Sequence, residues 1–474
     1  KLSYTPQPAA PREGRGEEST HIPSSPLAHV STPETPAARP RPRNRHAAHP
    51  AVQLDPAHTS ATFFAPMQVF MTTALVLAAG LACAGDSAQP APEACALIGS
   101  ATIAGDATDR SGLSGEVHPG VPHERLGSMG SGLDCMDTFP GGAHLLAVND
   151  RGPADGAAPF HCRFQRMTLR VDPANAKPVQ ITHDATDTLK RPDGKPFIGL
   201  GSELGTCTLA NGEVVSNRLD PEAIRQLPSG NVLVSEEYMP GVLEFDPRGA
   251  FVRTWPIPPM FRCQRPGADE AAEMPPANTS GRQPNRGLEG MAITPKGVVW
   301  TIPQSPLLQD GALNAKGKRA GRNVRMLCLG SAPGATTMRQ VVYPLESPAY
   351  GLNELLALDE QRFLVIERDG SAAKFRRIYA IDASNATDVS GVASLPSNDL
   401  PDGVRPVSKR LLVDLADPAS GVTRTPEKIE GLCFGPTLPD GRRTLVVASD
   451  NDMQGDESTC LWVFALPAWT QPTP

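Results

Sequence analysis

Short apolar runs separated by turn residues recur five times along the chain, and the copies share one pattern of hydrophobic and polar positions. Each copy starts with a small or acidic residue beside an apolar one and continues as two strand-like runs joined by a turn. Four of the five copies end in acids or amides. The copies start at Ser131, Asp220, Gly287, Leu352 and Lys428. Because repeats of short strands are typical of closed repeat architectures, the pattern predicts an all-β propeller.

Residues 220–258 contain one whole unit. Its strand-like runs are "EAIRQL", "VLVSEEY", "GVLEFDP" and "AFVRTWPI", and the turns "PSGN", "MPG" and "PRG" separate them. Glycine, proline and asparagine supply the backbone angles that tight turns need. Four antiparallel strands in about forty residues match the size of one propeller blade.

The spacing of the copies predicts the number of blades. The interval from Ser131 to Asp220 is 89 residues, which is long enough for two blades. We therefore expect six blades, with five or seven left open. The run "CALIGSATIAG" from Cys95 and the run "CLWVFAL" from Cys460 are expected to share a blade and close the ring. Closure matters because an open propeller exposes a sheet edge.

Carboxylates stand where the first strand of several units begins. In a propeller this strand lines the central channel, so acids from different blades would meet at one mouth of the channel. Like charges held together are costly unless a cation lies among them, and Ca2+ binds six to eight oxygens. The sequence thus predicts a Ca2+ site with the candidate ligands Glu222, Glu289, Asn353, Glu430 and Asp450, with Glu354 as an alternative to Asn353.

A second charged group ends the second strand of four units, and the third unit has Gln304 and Ser305 there. A hairpin returns the chain to the same mouth, so we expect both groups to face one funnel. Arginines bind phosphate or carboxylate through paired hydrogen bonds, and carboxylates serve as bases. The candidate catalytic residues are Asp150, Arg151, Glu237, Arg368 and Asp369. The alternatives are strand-start glutamates that accept backbone hydrogen bonds and charged hairpin tips in solvent.

Composition and charge narrow the function classes. The chain of 474 residues has a formal net charge of −7, which disfavours nucleic acid and anionic membrane surfaces as partners. Residues 1–66 are proline-rich without a hydrophobic period, and we interpret them as a disordered or translated upstream extension. Residues 67–84 read as a signal peptide or membrane anchor, with a possible lipid anchor at Cys83, and residues 85–474 as the propeller. We therefore expect an extracytoplasmic protein, periplasmic or secreted.

Eight cysteines follow the apolar segment, and an even number in an exported chain is compatible with up to four disulfides. They are Cys95, Cys135, Cys162, Cys207, Cys263, Cys328, Cys433 and Cys460.

The sequence does not support a serine hydrolase of the α/β-hydrolase type. No G-x-S-x-G elbow occurs, and no histidine follows His183, which excludes the chain order of an α/β-hydrolase triad.

The charged motifs, taken in order, resemble those of the phytase-like family, described as having esterase-like activity of phytase. They are "VNDRGP" (148–153), "DPEAI…SEEYMPG" (220–241), "NRGLEGM" (285–291), "LVIERDG" (364–370) and "IEGL…SDND" (429–452), within roughly residues 96–468. Ala223 and Glu236 depart from the glycine and aspartate usual in the family. The "DDPAIW"-type motif of alkaline propeller phytases does not occur, so inositol-phosphate hydrolysis is not assumed.

The resemblance implies an exported propeller that hydrolyses an ester or phosphoester. Together with the acids, it predicts a monomeric hydrolase of phosphoester or carboxylic ester substrates that uses Ca2+. Two alternatives stay open at this point: a non-catalytic, metal-stabilised propeller that binds a partner, and a lactonase-like enzyme.

Overall fold

The computed structural model describes residues 94–335, 338–370 and 373–471. The extension expected over residues 1–66, the signal peptide or anchor expected over 67–84, and Cys83 lie outside these ranges. Within them, no helix is both long and apolar enough to cross a membrane.

Five four-stranded antiparallel sheets form the described fold. The chain enters with β1 (Ala96–Ile103) and a small sheet of β2 (Glu116–His118) and β3 (Val121–Pro122). Blade 1 contains β4 (Gly132–Phe139), β5 (Gly142–Val148), β6 (Arg163–Val171) and β7 (Val179–Thr188). A hairpin of β8 (Thr206–Thr208) and β9 (Val214–Ser216) follows it. Blade 2 contains β10 (Pro221–Gln226), β11 (Val232–Glu236), β12 (Gly241–Phe245) and β13 (Phe251–Trp255).

The second half of the chain continues the same order. Blade 3 contains β14 (Leu288–Ile293), β15 (Val299–Pro303), β16 (Asn323–Gly330) and β17 (Gln340–Pro344). Blade 4 contains β18 (Gly351–Ala357), β19 (Arg362–Arg368), β20 (Arg376–Asp382) and β21 (Ser408–Asp414). Blade 5 contains β22 (Lys428–Phe434), β23 (Thr444–Asp450) and β24 (Thr459–Ala465), with β1 as its outer strand. Helical turns are short: α1 (Pro153–Gly156), α2 (Glu270–Glu273) and 3-10 turns at Pro259–Phe261, Leu308–Asp310, Pro418–Ser420 and Ala468–Thr470.

The sheets close into a ring. The inner strands β4, β10, β14, β18 and β22 contact one another in that order, and β22 contacts β4. The ends of the fold meet in blade 5, where β1 pairs with β24 and Thr102 lies opposite Cys460. This confirms the predicted pairing of the first and last strands, which covers an edge that would otherwise be open.

The blade count is five, so the expectation of six is corrected to a value that the sequence left open. The 89-residue interval holds a single blade because β6 and β7 are long, at 9 and 10 residues. The rest of the interval forms the β8–β9 hairpin, whose strands have 3 residues each. Such a hairpin is too short to bury a face of its own against two neighbours. The four-strand interpretation of residues 220–258 is confirmed.

Hydrophobic side chains fill the space between neighbouring blades. One cluster joins blades 3 and 4 through residues such as Trp300 and Phe363, whose rings lie 5.4 Å apart. Four further clusters join blades 1 and 2, 2 and 3, 4 and 5, and 5 and 1. Both faces of each sheet are therefore buried, which explains why strands such as β11 and β23 are apolar at consecutive positions.

Small residues allow the inner strands to approach the axis. Gly132, Gly290 and Gly431 occupy equivalent positions in three blades, and Ala223 occupies that position in a fourth. A Cβ added at Gly132 would lie 2.6 Å from the Glu222 carbonyl oxygen, and one at Gly290 would lie 2.6 Å from the Leu355 nitrogen. Both contacts are with backbone of the neighbouring inner strand, so a side chain there would force the blades apart.

A buried ion pair links the inner strands of different blades. In blade 4 the equivalent position is Glu354, and its carboxylate lies 2.9 Å from an Nη of Arg225 in blade 2. Arg225 also donates to the carbonyl oxygens of Leu133 and Leu355, which belong to blades 1 and 4. Burial raises the pKa of Glu354 to about 7, although Arg225 opposes the shift. One guanidinium thus ties three inner strands together.

The cysteines do not form the expected disulfides. All eight that the structure describes are free thiols. The fold is closed by strand pairing and blade packing instead.

Substituting Gly290 with alanine tests the close approach of the inner strands. We expect Gly290→Ala to lower the free energy of unfolding by about 1–3 kcal/mol, because its Cβ would overlap backbone that cannot move without shifting a blade. The matched control is Gly391→Ala, at an exposed site with no heavy atom within 4 Å of the added Cβ. Denaturant unfolding measures the free energy of unfolding of both variants. Equal values would show that an alanine side chain fits between the inner strands.

Candidate functional site

Bulges in four inner strands aim polar side chains at one mouth of the channel. The register with the neighbouring strand breaks between Pro221 and Ile224, Leu288 and Gly290, Leu352 and Leu355, and Ile429 and Gly431. The residues that these breaks release include Glu222, Glu289, Asn353 and Glu430. Bulges re-aim side chains and recur beside functional sites. We call these four residues, with Ser131 at the equivalent place in blade 1, the mouth ring.

The mouth opens into a polar cavity of about 260 Å³. Nine of the ten residues predicted from the sequence line it, although they come from all five blades or the loops that follow their strands. The nine are Asp150, Arg151, Glu222, Glu237, Glu289, Asn353, Arg368, Asp369 and Glu430. The tenth, Asp450, does not line the cavity and lies beside it, 3.5 Å from the ammonium group of Lys428.

Four members of the mouth ring have oxygens that the protein leaves free, among them the Ser131 hydroxyl, which is buried without a hydrogen bond. Among the described residues, the buried carboxylate of Glu222 has no hydrogen bond and no ion pair, and Glu289 has only the amide of Gln304. The buried Oδ1 of Asn353 accepts no hydrogen bond. Burial raises the pKa of Glu222 well above its ordinary value, and Glu289 and Asp220 raise it further. Burial and Glu237 do the same for Glu289.

These free oxygens fit a hard cation. Carboxylate and amide oxygens are the ligands that Ca2+ accepts, and no described residue that lines the cavity is histidine or cysteine. The carboxylates of Asp220, Glu222 and Glu237 also place one oxygen each within 4.8 Å of one another. Glu222, Glu289 and Asn353 are therefore the residues best placed to hold the ion.

The two remaining predicted ligands are already paired with cations. Glu430 accepts a hydrogen bond from a guanidinium nitrogen of Arg368 and another from the Asn353 amide at 3.3 Å. Asp450 is paired with Lys428. Their negative charges are offset within the protein, so they need an external ion less than Glu222 and Glu289 do.

The predicted catalytic arginines are also paired. Arg151 lies 2.9 Å from Asp220, 2.8 Å from Asp155 and 3.6 Å from Glu237, measured between nitrogen and oxygen. Arg368 is bound to Glu430. Both guanidiniums therefore hold the acidic side of the cavity together and have less capacity left for a substrate anion.

The three predicted catalytic carboxylates differ in their surroundings. Asp369 is paired with the buried Arg376. Asp150 lies 3.8 Å from Lys428, and burial followed by the charge of Asp450 raises its pKa well above the ordinary value. Burial raises the pKa of Glu237 to about 8, with Asp220 adding to the shift and Arg151 opposing it. A pKa of about 8 makes Glu237 a candidate for proton transfer near neutral pH.

Two arginines that the sequence analysis missed face the cavity without a carboxylate partner in the described part of the chain. Arg286 donates to the Ser305 hydroxyl at 2.8 Å, and its Nε is buried without a hydrogen bond. Burial and the charge of Arg319 lower the pKa of Arg286 to about 9. Arg319 reaches the same cavity from the exposed loop between β15 and β16. Arg286 and Arg319 therefore bring positive charge to the cavity that no ion pair among the described residues takes up. Glu237 and Glu289 are close enough to Arg286 to favour its charged form.

Other lining residues also escaped sequence reasoning. Arg286 and Lys428 stand inside the motifs "NRGLEG" and "KIEGL", so counting bases as well as acids would have found them, and Asn285 is the amide that opens the first motif. Gln304 stands where other units carry acids, and it donates to Glu289. Arg319 lies in a loop with no repeat signal, and only the fold brings it to the mouth.

Comparison with known proteins finds similar solved structures and one matching family model. Mala s 1, the major allergen of Malassezia sympodialis, is 11% identical with a TM-score of 0.36, over 79% of this chain and 92% of that chain. A virginiamycin B lyase from Staphylococcus aureus is 11% identical with a TM-score of 0.29, over 70% and 94%. A gluconolactonase from Xanthomonas campestris is 10% identical with a TM-score of 0.27, over 68% and 90%.

These TM-scores are too low to transfer a function or a blade count to this chain. No curated protein matches it. The model of the family "Phytase-like: Esterase-like activity of phytase" matches residues 125–453, well over half of the chain. The protein therefore belongs to the phytase-like family.

Proposed function

We propose that this protein is an exported hydrolase of phosphoester or carboxylic ester substrates that depends on Ca2+ at the mouth of its propeller. The observation that carries the proposal is that one cavity holds unpaired groups of both signs. Glu222 and Glu289 present free carboxylate oxygens, and Arg286 presents a guanidinium that forms no ion pair with a described carboxylate. Family membership supports the reaction class, and the apolar segment at residues 67–84 supports export.

The free carboxylates of the cavity would hold the cation. Glu222, Glu289 and Asn353 supply oxygens from blades 2, 3 and 4, so the ion would join three blades at the axis. When bound, the cation would offset the charges of the carboxylates and polarise an oxygen of the substrate. Water would complete its coordination, because Ca2+ takes more oxygens than three side chains offer as single ligands.

The arginines that form no ion pair would orient the substrate. Arg286 and Arg319 would bind an anionic oxygen, and the hydrogen bond from Arg286 to Ser305 fixes the direction of the guanidinium. Arg151 and Arg368 would act mainly by holding Asp220 and Glu430 in place. Glu237 receives a hydrogen bond from the Gly287 backbone at 3.0 Å. Its ionised form, which a bound cation would favour, would accept a proton from the attacking water.

Removing the free carboxylates tests the cation site. We expect Glu222→Gln and Glu289→Gln each to lower the Ca2+ content, measured by elemental analysis, together with hydrolysis of p-nitrophenyl phosphate or acyl esters. Glu116→Gln, at the exposed first position of β2, is the control and should change neither. Unchanged Ca2+ content in both mouth variants would remove these residues from the ligand set. Bound Ca2+ without turnover of any ester or lactone would favour the non-catalytic binding module.

Neutralising Arg286 tests the anion site. We expect Arg286→Gln to lower kcat/KM for p-nitrophenyl phosphate by about 10- to 100-fold, since hydrogen bonds to charged groups contribute about 1.5–3 kcal/mol. The same variant should lose much less of its kcat/KM for a neutral acetate ester. Arg248→Gln, at a side chain that is 78% exposed, is the control. Equal losses for both substrates would show that Arg286 supports the structure and does not select an anion.

The raised carboxyl pKa values predict a pH dependence of stability in chelator. A carboxyl group ionises near pH 4.5 in the unfolded chain and, for Glu237, near pH 8 in the folded protein. The folded state thus holds the proton more tightly. The contribution of protonated Glu237 to the free energy of unfolding is therefore complete below about pH 4.5 and is lost as the pH rises to about 8. The melting temperature of Glu237→Gln relative to wild type should therefore rise across this window.

Thermal melts at several pH values in EDTA measure that difference. Saturating Ca2+ should flatten it, because the ion favours ionised carboxylates. A difference that does not change with pH would mean that Glu237 is ionised throughout.

A further inference from the structure

A second group of carboxylates lies next to the cavity, between blades 1 and 5. Asp150 follows β5, while Asp450 and Asp452 stand at the end of β23. One oxygen from each lies within 4.8 Å of the other two, which is the spacing of ligands around one ion. This acidic triad is separate from the free oxygens of Glu222, Glu289 and Asn353.

A lysine occupies the centre of the triad. The Nζ of Lys428 lies 3.8 Å from Asp150 Oδ2 and 3.5 Å from Asp450 Oδ2, and it donates a hydrogen bond to Asp452. Asp450 is buried, and its Oδ2 has no hydrogen-bond partner, so the ammonium group is the cation that faces it. Burial by itself lowers the pKa of an ammonium group, but Asp450, Glu430 and Asp150 hold the pKa of Lys428 well above its usual range.

The repeat shows how unusual this lysine is. Lys428 stands two residues before Glu430, and in blade 2 the position two residues before Glu222 is Asp220. The position two residues before the mouth-ring residue therefore carries an acid in blade 2 and a base in blade 5. In blade 2 the nearby cation is Arg151, which contacts Asp220 and Glu237 but leaves Glu222 without a partner.

We propose that Lys428 is a built-in counter-ion that takes the place of a second divalent cation, so that the mouth of the propeller holds one such ion and not two. The ammonium offsets charge within the triad and fills the space that an ion would need. Two ions about 3.5–4 Å apart would allow a two-metal displacement, whereas one ion leaves the opposite side of the substrate to protein groups. The statement that one ion remains rests on the proposed function; the role of Lys428 does not.

Removing the charge of Lys428 should open the triad to a cation. We expect Lys428→Met, which keeps an apolar stem, to bind one more equivalent of Ca2+ than wild type in calorimetry and elemental analysis. Lys428→Arg keeps a positive charge and should bind the wild-type amount. Lys428→Met combined with Asp450→Asn should lose the extra equivalent, since it removes the buried carboxylate that the lysine faces.

Thermal stability gives a second readout that does not depend on activity. In EDTA, Lys428→Met should melt several degrees below wild type, because three carboxylates lose their counter-ion, and Ca2+ should restore most of the loss. If this variant folds only with Ca2+, that dependence is itself the expected result. Three results would overturn the proposal. They are a Ca2+ content of Lys428→Met equal to that of wild type, an extra equivalent that persists when Asp450→Asn is added, and failure of Lys428→Met to fold both in EDTA and in Ca2+.

The two proposals fail in different ways. Wild-type protein without bound Ca2+ would contradict the proposed cation site at Glu222 and Glu289. A gain of one equivalent in Lys428→Met would still support the counter-ion. Wild-type protein with two equivalents would contradict the role of Lys428 while leaving a Ca2+-dependent hydrolase in place.

Discussion

Repulsion between buried carboxylates is the constraint on which the mouth of this propeller depends. Closing five blades around one axis brings acids from separate parts of the chain together where little water can screen them. The protein compensates most of them internally, as Arg368 does for Glu430 and Lys428 for Asp450. Glu222 and Glu289 are left without a cationic partner in the described residues, and this imbalance is the reason to place an ion and a reaction there.

The fold makes that imbalance possible. Glycines behind the mouth ring let the inner strands approach closely, and bulges turn the next polar side chain toward the axis. The pair of Arg225 and Glu354 also ties three blades together. The mouth is therefore supported by contacts between blades. Such support matters because a site that holds carboxylates in place before the ion binds avoids reorganising when it does.

Whether a side chain that lines the cavity is already in an ion pair decides whether it can bind a substrate. Its distance from the cavity does not decide this. Arg151 and Arg368 line the cavity, yet their guanidiniums are bound to carboxylates of the protein. Arg286 is less conspicuous in the sequence but has no carboxylate partner among the described residues. A family assignment does not make this distinction, since fold and family do not define which groups remain free to bind a substrate.

The repeat by itself determined the all-β propeller, the pairing of the first and last strands, and the group of charged residues that meets at one mouth. It could do so because strand period, turn residues and acids recur locally in each unit. The blade count needed the tertiary structure, since the length of an interval does not show whether its strands are long or numerous. The structure alone also decided which charges neutralise one another, as it did for Lys428 and Asp450. Ion pairing depends on distances across blades, and residues far apart in the chain acquire those distances only when the ring closes.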